Sequence, residues 1–317
     1  MNKSYAIAGV VCIVFLSLSC VKKSGPKPAD INGSAPAPAA AVQAEPGIRA
    51  EKAVFADRNL AAKIGKALGK APSDLTKSDL TNLIELDASG SAIESLSGIE
   101  DCTRLSILHL SSNSISDITP LKGLNLLTEL WLDSNRISDI KPLAGLKGLS
   151  KLWLNSNSIS DITALSNLTG LTKLSAASNR IVNAGPLASL VNLTELDMYN
   201  NLISDVGPIG KIAGLKELYL GPNRISDIAA LAVLNGLTHL NLSSNSITEI
   251  KAVAGMLRLV YLDLGSNKIN DISPLLTNMG SGGIGASCEL WLQGNPLSSQ
   301  GAADLEKIRG TGASVRF

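Results

Sequence analysis

Residues 127–140 read LTELWLDSNRISDI, and residues 149–162 read LSKLWLNSNSISDI. The two stretches lie 22 residues apart and carry a tryptophan at the same place, Trp131 and Trp153, in a chain that has only three. The period extends both ways: Asn113, Asn135, Asn157, Asn179, Asn201, Asn223, Asn245 and Asn267 recur at the same interval. Around them the chain keeps L-x-x-L-x-L-x-x-N-x-I-x-D-I-x-x-L-x-x-L, whose last leucine is Leu124, Leu146, Leu168 and Leu190 in successive copies. A degenerate copy with Ser91 at the Asn position opens the run. Another closes it at Asn295, after the insert GSGGIG, for about ten turns in all. One unit of this length cannot bury both a strand face and its back, but stacked units share a continuous column of Leu and Ile.

The L-x-x-L-x-L-x-x-N-x-I core resembles the leucine-rich repeat, and the 22-residue form with ISDI and PL.GL resembles the repeats of bacterial internalins. Upstream, VFADRNLAAKIGKALGKAPSDLTKSDLTNLIELD is similar to the helical cap and first strand that open internalin domains. Phe55, Asp57, Leu60, Ile64, Leu68, Leu75 and Leu80 stand at its apolar and capping positions. The resemblance covers roughly residues 52–317. It implies an α/β solenoid, a leucine-rich repeat horseshoe with a parallel concave sheet, a helical N-terminal cap and a C-terminal cap. The expected organisation is a cap over 51–82, repeats over 83–297, and a C-terminal cap over 298–317 with a helix from about Ser298 to Arg309 and a short final strand. The 28-residue spacing before Asn295 is expected to distort the last turn. The chain departs from internalins in having no LPxTG sorting tail and no immunoglobulin-like module, so anchoring is expected from the other end.

That end begins with Lys3 and an apolar run from Tyr5 to Leu18, followed by Ser19 and Cys20, which is the pattern of a cleaved export signal. The run is too short for a comfortable membrane span. LSLSC resembles a lipobox, with Ser17 at the usually apolar place and Leu16 one position further out, so residues 1–19 are expected to be removed and Cys20 lipidated. Acyl chains contribute about 0.8 kcal/mol per buried methylene and would hold the protein on a membrane. Residues 20–50, rich in Pro and Ala and without apolar periodicity, read as a tether. Of the other cysteines, Cys12 falls in the signal, while Cys102 and Cys288 sit nine turns apart. At about 4.8 Å per turn that is far beyond disulfide reach, so both read as small buried hydrophobes.

Side chains alternate along a strand, so the third, fifth and seventh residues of each repeat face out over the concave surface. The fifth column reads Asp87, His109, Trp131, Trp153, Ser175, Asp197, Tyr219, Asn241, Asp263 and Trp291. With Tyr199 in the seventh column and Tyr261 and His239 in the third, six of the eight aromatic residues downstream of the signal, and both histidines, lie on one face. An even scatter would place about one aromatic there. Trp and Tyr dominate binding hot spots, so this face reads as a binding surface. Ladder stacking of Trp131 on Trp153 is the structural alternative. The anchors are His109, Trp131 and Trp153 as one cluster, Asp197, Tyr199 and Tyr219 as a second, and Tyr261, Asp263 and Trp291 as a third. Nine concave acids, Glu85, Asp87, Glu129, Asp133, Glu195, Asp197, Glu217, Asp263 and Glu289, face only Lys151 and Lys173. The whole chain, with 28 Lys and Arg against 27 Asp and Glu, is nearly neutral and offers no broad nucleic-acid surface. An acidic trough with aromatics suits a partner presenting basic and apolar groups.

Catalysis has little to stand on. The two histidines are six turns apart, and the sequence shows no nucleophile context, metal-ligand spacing or phosphate-cradling loop. No catalytic residue, metal or cofactor is therefore expected. The Asp row after each Asn, Asp117, Asp139, Asp161, Asp205, Asp227 and Asp271, closes turns and lacks the dense acids of a calcium loop. The expected function is a cell-envelope lipoprotein, on the outer surface of a bacterial membrane, that binds a protein ligand. The internalin resemblance implies host-cell or matrix adhesion as one version. A periplasm-facing scaffold or assembly factor for bacterial partners stands as the alternative. Stacking on a glycan is compatible with the Trp pair but would call for more amides and fewer acids.

Overall fold

A computed structural model describes residues 51–317, and the expected signal, Cys20 and the tether lie outside the described residues. Eleven strands of three residues each form one parallel sheet in chain order. They are β1 Glu85–Asp87, β2 Ile107–His109, β3 Glu129–Trp131, β4 Lys151–Trp153, β5 Lys173–Ser175 and β6 Glu195–Asp197, then β7 Glu217–Tyr219, β8 His239–Asn241, β9 Tyr261–Asp263, β10 Glu289–Trp291 and β11 Ser314–Arg316. Register is constant, with Trp131 opposite Trp153 and Tyr261 opposite Glu289. Each strand from β1 to β10 buries its middle residue and leaves the flanking two on the other face, while Val315 in β11 is partly buried. The inward Leu and Ile of successive turns, such as Leu130, Leu132, Ile137, Leu143 and Leu146, are fully buried in one continuous core. Burying one such side chain contributes about 1.5–3 kcal/mol, which a lone turn could not gain.

The repeated Asn holds the turns together. Asn157 Nδ2 donates to Leu154 O of its own turn at 3.0 Å and to Leu132 O of the preceding turn at 2.9 Å, and its Oδ1 accepts from Ile137 N at 3.0 Å. The pattern runs from Asn113 to Asn295. The residue before these Asn, usually Ser, takes a left-handed backbone at every turn but that of Pro222, as at Ser134 (φ 54°) and Ser178 (φ 55°). Its N–H reaches the next strand end, as from Ser134 to Asn155 O at 2.8 Å, and this bond offsets the strain. Pro222 occupies that place after β7 and has no N–H to give, so the row of bonds is interrupted there.

Between strands, short 3₁₀ turns such as Lys141–Gly145 and Gly185–Ser189 line the opposite side, with Pro at their starts. The Asp row closes them: Asp117, Asp139 and Asp161 each accept the N–H two residues on, at 2.8 to 2.9 Å. The six extra residues before Asn295 alter the last turn on this outer side only, and the register of β9 and β10 is kept. Pro274 starts a full helix, α3 (Ser273–Gly280), which follows α1 (Arg58–Leu68) and α2 (Lys77–Leu80) of the N-terminal end in chain order. The buried Asn278 then ties the segment back, donating to Val253 O and Met256 O and accepting from Ile284 N. A Cβ at Gly283 would stand 2.0 Å from Asn278 Oδ1, so only glycine fits there.

Helices close both ends of the stack. At the N-terminus α1 (Arg58–Leu68) buries Leu60 and Ile64, and α2 (Lys77–Leu80) starts on a Thr76–Asp79 capping box. Asp57 caps α1 through Asn59 N and Leu60 N, while its second oxygen accepts Glu94 N at 2.8 Å and Ser95 N at 3.4 Å, joining the helix to the first turn. Burial would raise the Asp57 pKa, but these N–H donors hold it below the ordinary value. Gly98, at φ 103°, packs against the same segment, and a Cβ there would lie 2.4 Å from Val54 O. At the C-terminus α4 (Ser299–Arg309) buries Leu305 and Ile308, and β11 pairs with β10. Cys102 and Cys288 are buried free thiols, whose pKa burial pushes up to about 12 and about 11. Among the described residues no helix is long and apolar enough to cross a membrane.

Candidate binding site on the concave face

Constant register puts the fifth residue of every turn in one row, and the large side chains in that row meet. His109 sits on Trp131 with ring centroids 3.9 Å apart, and Trp131 stacks on Trp153 at 4.2 Å with 6° between the planes. The rings approach closer than the roughly 4.8 Å between strands, as side chains on the inside of a curved sheet do. A second block lies towards the C-terminus: His239 and Tyr261 at 6.1 Å, Tyr261 and Trp291 at 6.3 Å, and the Arg316 guanidinium 4.3 Å over the Trp291 ring. Arg316 arrives because β11 continues the register beyond the last repeat, opposite Trp291. The repeat pattern ends before it, so periodicity alone did not place it on this face.

Between the two blocks the row narrows to Ser175, and a pocket of about 180 Å³ opens. One wall is Trp153, whose other face is covered by Trp131, and the opposite wall is Tyr219. Ser175 and Asp197 form the floor with the edges of Leu174 and Leu196, while Lys173, Glu195 and Glu217 stand around the rim. Asp197 accepts the Ser175 hydroxyl at 3.1 Å and Tyr199 N at 2.9 Å. Tyr219 donates its hydroxyl to Glu217 at 3.0 Å. Burial, then the Glu217 carboxylate, pushes the Tyr219 phenol pKa up, and burial does the same to the Asp197 carboxyl against its hydrogen-bond donors.

The nine acids counted from sequence are not equally available. Lys151 pairs with Glu129 at 2.8 Å, Lys173 with Glu195 at 2.5 Å, and Arg316 with Glu289 at 3.5 Å. Asp263 is only 6% exposed and accepts Gly265 N at 2.9 Å, with its pKa raised by burial. It supports the end of β9 more than it presents a charge. Asp133 is likewise bound to Asn155 N at 2.8 Å, with burial raising its pKa. Among the described residues four of the nine acids neither make an ion pair nor are tied down like Asp133 and Asp263: Glu85 and Asp87, exposed on the first strand, and Asp197 and Glu217, which line the pocket.

The structure thus joins His109, Trp131 and Trp153 as expected and brings Tyr261 and Trp291 together, adding His239 and Arg316. It divides the middle cluster: Asp197 and Tyr219 line the pocket, whereas Tyr199 is 42% exposed at the strand end outside it. Lys173, Ser175, Glu195 and Glu217 were not singled out from sequence. A small residue between two aromatics in one column, Trp153, Ser175, Asp197, Tyr219, is the signal that could have found the pocket.

Family models described as leucine-rich repeats in two copies match residues 81–123, 126–167, 169–211 and 191–233, and a leucine-rich repeat model matches 213–269. Among solved structures the chain is similar to an internalin C2 from Listeria monocytogenes, at 35% identity over 66% of this chain and 94% of that one, with a TM-score of 0.65. An internalin of the same species, InlF, matches at 30% identity over 82% of this chain and 88% of that one, TM-score 0.58. The functional domain of InlJ, also from Listeria monocytogenes, matches at 25% identity over 77% of this chain and 56% of that one, TM-score 0.60. No curated protein matches the sequence.

Proposed function

Since the chain belongs to the leucine-rich repeat family, with structural neighbours among the internalins, we propose that its concave face binds a protein ligand. One observation carries this: all three tryptophans stand in a single concave column, two of them stacked face to face. The bare stack is worth about 0.5–1.5 kcal/mol to the fold, which the nine other paired strands obtain without it. Rigid aromatic area flanking an acidic pocket is what a hot spot uses against a partner with basic and apolar groups.

In the fuller reading the protein is a cell-envelope lipoprotein, lipidated at Cys20 and held off the membrane by residues 21–50, with the concave face turned to host-cell or matrix proteins. The N-terminal sequence and the internalin likeness support it. The binding test is a panel of immobilised extracellular matrix and cell-surface proteins probed with the purified protein and with a Trp131→Ala/Trp153→Ala variant. We expect the variant to lose at least about tenfold in affinity for whichever protein the parent binds, with its circular dichroism unchanged. Equal affinity would remove the Trp pair from the site. Protease treatment of intact cells tests the placement. Cleavage of the repeats on intact cells supports the surface reading, and protection until permeabilisation would replace it with a periplasm-facing scaffold.

A further inference from the structure

The pocket between Trp153 and Tyr219 has a chemistry of its own. At about 180 Å³ it is below the roughly 300–1,000 Å³ of pockets that take whole small-molecule ligands, and it is matched to a single side chain. Its cation, Lys173, is spent on Glu195, while Asp197 and Glu217 face the opening without a counter-charge among the described residues. The Asp197 carboxylate receives Tyr199 N at 2.9 Å and shares the single Ser175 hydroxyl hydrogen, at 3.1 Å, with the nearer Asn155 Oδ1 at 2.7 Å, whereas a carboxylate offers about four acceptor positions. Holding it half-buried and unpaired is costly, as burial raising its pKa also indicates, and a cation delivered by a ligand would offset that cost.

We propose that this pocket receives an arginine side chain of the bound protein ligand, its guanidinium stacked on the free face of Trp153 and donating to Asp197 and Glu217. A guanidinium is the cation that fits all three surfaces. It is flat, so it lies against an indole face; its N–H groups point outwards in its own plane, towards carboxylates at the floor and rim. It is also weakly hydrated and loses little on meeting the apolar edges of Leu174 and Leu196. An ammonium would satisfy the carboxylates but gives up more hydration and does not stack. The assignment rests on the concave face being the ligand surface, yet it can be tested with no protein ligand in hand.

The chain has three tryptophans, so incorporation of 5-fluorotryptophan gives one ¹⁹F resonance each for Trp131, Trp153 and Trp291. The probes are N-acetyl-arginine amide, its neutral isostere N-acetyl-citrulline amide, and an α-N-acetyl-lysine amide, titrated into the whole protein. The expected result is a saturable, millimolar shift of the Trp153 resonance with the arginine probe, a weaker response to lysine and none that saturates with citrulline. Asp197→Asn should weaken the arginine response about tenfold or more, and Ser175→Trp, which fills the pocket from its half-buried floor, should abolish it. Unmoved Trp131 and Trp291 resonances in Asp197→Asn would show that the variant is folded. Equal responses to arginine and citrulline, a tighter response to lysine, or an arginine response unchanged in Asp197→Asn would each overturn the assignment. Such a failure, with the Trp131→Ala/Trp153→Ala variant still losing a protein ligand, removes arginine from the pocket and leaves the reading of the face standing.

Discussion

Asn179 sits in the middle of the ladder, 9% exposed, and replacing it with alanine should destabilise the protein by about 2–4 kcal/mol. The figure follows from counting which groups lose their last partner. Nδ2 donates to Leu154 O at 2.9 Å, Ala176 O at 3.1 Å and Ala177 O at 3.1 Å. Each of these carbonyls keeps another donor: Asn157 Nδ2 on Leu154 O, Asn201 Nδ2 on Ala176 O, and Ser156 N on Ala177 O. Their loss is therefore partial, about 1 kcal/mol in all. The N–H of Ile159 is different, for its bond to Asn179 Oδ1 at 3.0 Å is its only one, and the site is buried. An orphaned buried donor costs about 1–3 kcal/mol. Asn179→Asp separates the two terms, since it keeps an acceptor for Ile159 but sets a buried carboxylate among three carbonyls. Its folded pKa would be raised, so the variant should be less stable than alanine at neutral pH and recover as pH falls through that pKa. Urea unfolding followed by both circular dichroism and Trp emission reads the loss, provided the two transitions coincide. An alanine variant within about 0.5 kcal/mol of the parent, or an aspartate variant at least as stable as alanine at neutral pH, would refute the bond count.

Trp131→Ala and Trp153→Ala should each cost only about 0.5–1.5 kcal/mol in urea unfolding, because half-buried stacked rings carry less of the fold than the Leu column beneath them. Gly98→Ala puts a Cβ 2.4 Å from Val54 O on a backbone at φ 103°, and should lower stability by about 1–3 kcal/mol, with the extra hydrogen exchange concentrated in α1. Acid should act on the two ends of the charge scale in opposite order. The folded pKa of Asp57 is below its ordinary 3.8, so its contribution to stability is complete above that value and is lost only as pH falls through the lower one. The folded pKa values of Asp133, Asp197 and Asp263 are raised, so the concave face sheds charge first, and protonation there favours the folded state. As the pH is lowered, the Trp153 response to a cationic probe should fade while the amides of Leu60 and Glu94 are still protected from exchange. Loss of that protection before the probe response fades would reverse the order.

The parts of the molecule that depend on period and alternation were legible in the sequence. Inward Leu and Ile recur because every turn must present the same residues to its neighbours, and the ladder Asn recurs because each turn leaves the same backbone groups to satisfy. The concave aromatics followed from strand alternation alone. The parts that depend on differences between neighbours were not legible. Ser175 makes a pocket only because Trp153 and Tyr219 are large on either side of it, and Asp263 is buried where Asp197, at the same position of an earlier repeat, lines the pocket. Counting acids overstated the free charge, since which carboxylates meet a lysine depends on side-chain reach across one strand spacing. Arg316 joined the face through a strand that no longer carries the repeat's consensus residues. The spacing before Asn295 marked the last turn as irregular but not on which side, and Pro274 and Asn278 turn the extra residues into a helix and a tied loop on the far side.

That far-side loop separates chain length from the geometry of the trough. Six residues were added to one turn, and β10 still meets β9 in the same register as every other pair. Insertions on the outer side are therefore silent on the inner one. The stretch 281–282, exposed and already irregular, is a natural point for an epitope or fluorescent reporter that leaves the concave residues where they are.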